Sequence, residues 1–543
     1  MTARLDPIKD RIDALFAGWS QAAAPGCAVG LFVDGETVLH GGYGLANVEH
    51  GVPIRPDTRF HIASVTKQIV AAALVILEAQ GRLCLDDEVG RHFPWLGAGH
   101  RATLRQLLNM TSGLRDTGEL MRLRGVSYRY PRQHDDMLAL LQRQTTLNFA
   151  TGERFIYTNV NYGLAGTLLE RLMDRSLDEA LRALVFEPLG MADTLVRDSN
   201  VTLTPRLATG YIPDGDGYEL GIWSFGISGA GSVVSTVPDV LRWLQALGQD
   251  DLRGVAVGSA LARTGKLQDG TPLGYGLGLD TRVYRGVKVW SHGGSLPGYK
   301  AMVAVIPELQ AGFALLANRD DADPNRRYRQ LLDVLLDERV AAPRPPLRAD
   351  ATTAARLAGR WLDPASGETM LISVDDEGAL VGDKLGHQFL LQADGEGRWR
   401  CDFGLLPIRL VERGARLELA FGGQDLRFER WREGPVERPL EDYAGTFASD
   451  DLAAEHALWV EEGRLWLRQG PPCHLAATFE LEALAPDRFH LQAGSPGWVY
   501  QAAVRFERDA NGHVVALVVS TDRLKDVRLT RRTAPAGGSH HAA

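Results

Sequence analysis

A serine and a lysine three residues apart, Ser64 and Lys67, stand just before an apolar run, 69–77, that reads as a buried helix closing near Gly81. Residues at i and i+3 share one helix face, so a hydroxyl and an amine are held side by side. A serine hydroxyl is a weak nucleophile until a nearby base takes its proton. A lysine amine can do so once burial lowers its pKa. The backbone N–H groups at a helix start favour negative charge. The chemistry this permits is attack of Ser64 on a carbonyl carbon.

Two further patterns follow in order. Tyr157-Thr158-Asn159 is the only Tyr-x-Asn in the chain, and Ser64-Val65-Thr66-Lys67 the only Ser-x-x-Lys. Tyr157 can act as a stabilised phenolate or relay a proton to a leaving amine. Asn159 offers an amide that positions Lys67 and the substrate. His292-Gly293-Gly294 comes third, and its two glycines let a strand approach a substrate closely. Taken singly, each has an ordinary reading: a helix cap with a solvated lysine, an amphipathic core tyrosine, a structural histidine. The three in this order form a constellation. A second His-Gly-Gly, His40-Gly41-Gly42, follows a hairpin strand and is expected to be a turn. These residue types leave open which of Lys67 and Tyr157 is the base, because the pair titrates as a unit.

The elements that must position these groups fall in two regions. Up to about residue 338, strand and helix patterns mix. Short strands at 27–33 and 37–40 flank an Asp34-Gly35-Glu36 turn, and helical patterns occupy 64–80, 104–109 and 162–174. Strands return at 287–291, 300–306 and 311–317 before a closing helix at 326–338. Strands at both ends with helices between predict an α+β domain, 1–338, with an antiparallel sheet. A Pro-rich linker, 339–347, follows. Beyond it, short alternating strands such as 370–374 and 416–420 predict β-barrels or sandwiches. Similar openings and closings (357–361 with 426–430, 443–447 with 527–531) divide this region into units at 348–433 and 434–532, with a frayed tail at 533–543.

The bulk composition narrows the classes. With 543 residues the chain needs several cores. Its net charge of −9 and lack of a basic run argue against nucleic acid and anionic membranes. The N-terminal 24 residues pattern as a charged amphipathic helix, not a signal peptide, and no apolar stretch has the length of a membrane span; a cytoplasmic protein is expected. Cys27, Cys84, Cys401 and Cys473 are widely separated and lack metal-binding spacing, so neither a zinc site nor a disulfide framework is expected; the serine chemistry calls for no metal or organic cofactor.

Together the motifs resemble those of the serine β-lactamase and penicillin-recognising acyl-hydrolase superfamily. Thr111-Ser112-Gly113-Leu114, Gly152-Glu153-Arg154-Phe155, Pro188-Leu189-Gly190-Met191 and Tyr275-Gly276-Leu277-Gly278 support this over roughly 10–338. The resemblance implies a β-lactamase-like catalytic domain with Ser64 as nucleophile and Lys67 and Tyr157 as acid–base groups. Asn159, His292, Gly293 and Gly294 would position the substrate, and the backbone N–H groups of Ser64 and Ser295 would form the oxyanion hole. Most β-lactamases carry a lysine where His292 stands, which argues against a dedicated β-lactamase.

The Pro-rich linker and paired β-units match superfamily members that carry two eight-stranded, lipocalin-like barrels and release N-terminal D-residues. In those members a loop of the last barrel enters the site with an acid that selects a free α-amino group. The corresponding hairpin here is read as containing Gln492, Ala493, Gly494, Ser495, Pro496, Gly497 and Trp498, none of them acidic. The resemblance therefore implies a homodimeric serine aminopeptidase acting on small D-Ala-like peptides or amides through an ester on Ser64. A D-amino-acid amidase or carboxylesterase is the alternative within the same chemistry. A non-catalytic penicillin-binding sensor or scaffold is the alternative from another class.

Overall fold

A computed structural model describes the chain except residues 1, 21–22, 98, 127–133, 200, 225, 227, 338, 342–348, 376–377, 402–407, 435–437, 471–476, 496–497 and 533–543. Most of the Pro-rich linker, Cys473 and the whole tail thus lie outside the described residues.

The first domain begins with α1 (Thr2–Ser20) and the hairpin β1 (Cys27–Val33) and β2 (Glu36–Tyr43). Asp34 and Gly35 turn this hairpin with φ of 55° and 79°, the left-handed pair that a tight two-residue turn requires. The helices α2 (Thr66–Ala79), α3 (Thr117–Leu123), α4 (Asn159–Met173) and α5 (Val237–Gln249) follow. Three long-range strands come next, β3 (Asp280–Tyr284), β4 (Val287–Leu296) and β5 (Tyr299–Ile306), then β6 (Ala311–Ala317) and α6 (Pro324–Leu336). They make one antiparallel sheet in the order β3-β4-β5-β6-β1-β2. The chain closes on itself where β1 meets β6, with Cys27 opposite Ala317.

Both faces of this sheet are covered. Cys27, Val29 and Leu31 pack with Ile12 and Phe16 of α1 and Tyr328, Leu331 and Leu335 of α6. Ala28 and Phe32 point the other way, into the core that contains α2, as the period of two along a strand demands. Every α2 residue from Thr66 to Leu77 is buried, which explains why its apolar run shows no polar stripe. His40, Gly41 and Gly42 lie inside β2, opposite Gly30, Val29 and Ala28, and not in the turn expected for them. Gly42 is needed there because a Cβ would fall 2.3 Å from the Ile54 carbonyl oxygen.

Two closed eight-stranded antiparallel barrels follow. The first comprises β7 (Gly359–Leu362), β8 (Thr369–Val374), β9 (Leu380–Lys384), β10 (His387–Ala393), β11 (Arg398–Cys401), β12 (Ile408–Arg413), β13 (Arg416–Phe421) and β14 (Gln424–Arg430). The second comprises β15 (Gly445–Ser449), β16 (Ala454–Glu461), β17 (Arg464–Gln469), β18 (Ala477–Ala485), β19 (Arg488–Ser495), β20 (Trp498–Arg508), β21 (Val514–Ser520) and β22 (Val527–Arg531). Closure removes the unpaired edges that invite association. Alternation fills the interior, as where Leu417 and Leu419 of β13 are buried while Arg416 and Glu418 are exposed.

Both barrels dock on the first domain beside the tyrosine motif. The Phe155 N–H donates to the Gly422 carbonyl at the β13–β14 turn, 2.9 Å away. Leu120, Met121 and Leu123 of α3 share an apolar cluster with the second barrel, and His456 Nε2 donates to the Leu123 carbonyl at 2.7 Å. The barrels meet over a buried ion triad: Glu368 lies 2.5 Å from Lys384 and 2.6 Å from Lys525.

Candidate active site

Ser64 sits in a 3₁₀ turn, Ala63–Val65, that leads directly into α2. The α-helix proper starts at Thr66, two residues later than the helical segment 64–80 read from the sequence. In a 3₁₀ turn residues i and i+3 eclipse, and Lys67 Nζ lies 2.9 Å from Ser64 Oγ. Ala63 has φ of 48°, a left-handed geometry that costs a non-glycine residue roughly 1–3 kcal/mol and persists only where packing enforces it. The enforcing element is β4: a Cβ on Gly294 would fall 2.3 Å from the Ile62 carbonyl oxygen and 3.2 Å from Ala63 Cβ. Gly294 is thus required by the Ser64 turn behind it. Gly293 is less constrained, since a Cβ there would meet Met302 Cε at 3.3 Å.

Lys67 is fully buried. Its Nζ also lies 2.7 Å from the Ala230 carbonyl oxygen and 3.0 Å from Asn159 Oδ1. Burial pushes the amine well below its ordinary pKa; the Arg523 charge acts in the same direction and Asp116 opposes it. A neutral amine has two N–H donors and one lone pair. The two pure acceptors, Ala230 and Asn159, take the N–H groups, which turns the lone pair toward the Ser64 hydroxyl. The neighbours of Lys67 therefore orient it to receive a proton.

Tyr157 is the last-but-one residue before α4, in an extended approach. Its ring lies 4.9 Å from Lys67 Nζ and 5.2 Å from Arg523 Cζ. Burial pushes the phenol up to about 12, against a hydrogen bond to Ser64 and the charge of Arg523 that lower it. The phenol therefore keeps its proton at neutral pH.

Asn159 opens α4, and its N–H donates to Asp116 Oδ2 at 2.6 Å. Asp116 Oδ1 meanwhile caps α3 by accepting the Glu119 N–H at 3.0 Å. One buried carboxylate thus fastens two helix N-termini, where negative charge is favoured. Asp116 was not singled out by sequence, although Asp-Thr-Gly-Glu does read as a helix start.

His292 is buried on β4. Its Nδ1 lies 2.6 Å from the Gly293 carbonyl oxygen and its Nε2 2.9 Å from the Tyr275 hydroxyl. A carbonyl can only accept, so Nδ1 carries the proton and Nε2 accepts from Tyr275. Burial, reinforced by Lys67, lowers its pKa to about 3, so His292 supplies no positive charge to a substrate. Ser295 pairs with Lys300 across β4 and β5, and its hydroxyl accepts from Lys300 Nζ at 2.8 Å.

Ser64, Tyr157, Asn159, His292, Gly293, Gly294 and Ser295 line one cavity of about 610 Å³, within the usual range for small-molecule sites. Its other walls come from both barrels: His387, Phe389 and Phe421 from the first, Asp522 and Arg523 from the second.

The last barrel does reach the site, but through the β21–β22 turn and not through the described part of the expected hairpin. Gln492 and Ala493 lie outside the cavity lining, and Gly494, Ser495 and Trp498 continue the pairing of β19 with β20. Pro496 and Gly497 fall outside the described residues. The β19–β20 segment stays in the barrel wall because its strands keep their ladder almost to the tip. The β21–β22 turn instead is bound to the catalytic domain. Asn148 Nδ2 donates to the Arg523 carbonyl and the Lys525 N–H donates to Asn148 Oδ1, each at 2.9 Å. This turn carries an acid, Asp522, which the sequence reading did not find. In sequence, Asp522-Arg523 is an ordinary polar turn between apolar strands, and nothing local marks it.

Comparison with known proteins gives a consistent result. The Beta-lactamase family model matches residues 9–338. A D-aminopeptidase of Cereibacter sphaeroides strain KD131 is 28% identical over 536 residues, 92% of this chain and 95% of that one. A second, from strain ATCC 17023, is 30% identical over 480 residues, 85% of this chain and 84% of its own. Among solved structures, the octameric penicillin-binding protein homologue from Pyrococcus abyssi aligns with a TM-score of 0.54 at 23% identity, covering 79% of this chain and 100% of that one. With the family model spanning the domain that holds Ser64, Lys67, Tyr157 and His292, this chain belongs to the beta-lactamase family.

Proposed function

We propose that the chain is a serine hydrolase that releases N-terminal D-amino acids, D-Ala-like in size, from short peptides and amides through an ester on Ser64. The carrying observation is the placement of Ser64 Oγ 2.9 Å from a lysine amine that is fully buried and bonded to two pure acceptors. The names of its D-aminopeptidase relatives supply the substrate class.

In this reading Ser64 attacks the scissile carbonyl as its proton passes to Lys67. The N–H groups of Ser64 and Ser295 receive the oxyanion, each such donor being worth about 2.7–4 kcal/mol in the transition state. Tyr157 relays the proton to the leaving amine, since its raised pKa keeps it a donor. Water then cleaves the ester by the reverse route. Asn159 orients Lys67 and the substrate, His292 and Gly293 form the strand wall, and Asp522 receives the α-ammonium of the N-terminal residue. The hairpin residues Gln492–Trp498 keep no role in this reading. It carries with it a cytoplasmic homodimer, to be checked by fractionation and light scattering.

The test compares D-Ala-p-nitroanilide with its L-isomer and its N-acetyl derivative. A loss of at least tenfold in kcat/KM for both is expected. An unchanged rate on N-acetylation would remove the aminopeptidase reading and favour an amidase or esterase.

A further inference from the structure

Resting on that reading, we propose that Arg523 binds the α-carboxylate of the leaving residue, so that the preferred substrate is a D-peptide whose free C-terminus lies one residue beyond the scissile bond. The structure presents its guanidinium in the cavity, within the field of Asp116, Asp522 and Glu119 but, among the described residues, with no direct ion pair or side-chain hydrogen bond, and with the Tyr157 ring at 5.2 Å. Other cations lining the same cavity are engaged. Arg282 pairs with Asp280, and Lys300 lies 3.1 Å from Asp320. His292 is held neutral by Tyr275 and the Gly293 carbonyl. Arg523 and Asp522, though adjacent, form no ion pair with each other.

Position selects the carboxylate that this cation would meet. The proton for the leaving nitrogen comes through Tyr157, and Arg523 stacks over that same ring. In an amino-acid leaving group the carboxylate carbon is two covalent bonds from that nitrogen. A guanidinium matches a carboxylate with two parallel N–H···O bonds. An amide or anilide leaving group offers no such partner.

The guanidinium is also carried on a fastened support. The Arg523 carbonyl accepts from Asn148, and the Arg523 and Leu524 N–H groups donate to Thr521 Oγ1 at 3.2 and 3.1 Å. Lys525, two residues on, is locked 2.6 Å from the buried Glu368 of the first barrel. Preorganised binding groups lose less entropy on capture. All three domains therefore meet to hold one cation beside the nucleophile.

The test uses the full chain with D-Ala-Gly and D-Ala-glycinamide, which differ in the terminal carboxylate. The wild type should prefer the free acid by about tenfold or more in kcat/KM, chiefly through KM. Arg523→Gln should reduce that preference to below about twofold, and Arg523→Lys should restore part of it. Calorimetric binding of the two peptides to Ser64→Ala reads the same preference without turnover and without altering the turn. A wild-type preference near one, or one that survives in Arg523→Gln, overturns the assignment. Turnover of both peptides without preference would sink Arg523 alone. A carboxylate preference in binding with no Ser64-dependent turnover would sink the hydrolase reading and leave Arg523 standing.

Discussion

In the proposed mechanism Lys67 takes the Ser64 proton, and its surroundings predict its behaviour. Because burial lowers the Lys67 pKa from its ordinary value, activity should persist to lower pH than an ordinary amine base allows and be lost as pH falls through that lowered value. His292, already neutral down to about pH 3, should add no inflection near pH 6.5. Lys67→Arg places a permanent cation where a lone pair is needed, and kcat should fall about 10²–10⁴-fold with the fold retained, as circular dichroism would show. Retention of more than a tenth of the wild-type rate would mean that Lys67 is not the proton acceptor. At this scale the sequence picked out Ser64, Lys67, Tyr157 and His292, which the fold brings together, because the proposed chemistry demands rare residue types at fixed spacing. It was silent on Asp116 and Arg523, whose contributions depend on what folding brings beside them. An aspartate before a helix and an arginine in a turn are common in any chain.

Among the elements, β4 and the Ser64 turn act as one unit. Gly294→Ala would place a methyl group 2.3 Å from the Ile62 carbonyl oxygen. Relief requires the strand or the turn to move. The overpacking should cost about 1–3 kcal/mol of stability, and a displaced nucleophile about a hundredfold in rate. Gly293→Ala meets only the flexible end of Met302 and should be milder on both counts, measured by thermal melts and kcat/KM. Equal effects at the two glycines would contradict the packing account. The strands and helices of the catalytic domain were largely legible from periodicity. The His40-Gly41-Gly42 segment was not, since a glycine pair that reads as a turn serves here to let β2 pass close to Ile54. The route from the second barrel to the cavity was also hidden. It is set by which strand turn reaches Asn148, a contact across 375 positions of sequence.

For the whole molecule, the barrels are part of the cavity, and the Glu368–Lys384–Lys525 triad joins them beneath it. The two lysines hold Glu368 at about 2, below its ordinary 4.5, despite burial. The stability this supplies is complete above about pH 4.5 and is lost as pH falls toward 2. Glu368→Gln leaves two buried ammonium groups without a counter-charge and should cost about 3–5 kcal/mol. It should also release the Arg523 turn, so the free-acid preference should weaken along with the melting temperature. A variant that melts as the wild type does would show that the triad does not hold the junction. The presence of two β units was readable from the repeated strand pattern, and their being barrels from the family resemblance. Their docking was not, because it rests on pairings between residues far apart in the chain.

The most direct test is mass spectrometry of the protein quenched during turnover of a D-Ala ester or anilide. The account predicts a D-alanyl adduct on the peptide containing Ser64, absent in Ser64→Ala together with the activity. Steady turnover with no adduct at that peptide, or an adduct on another residue, would contradict it.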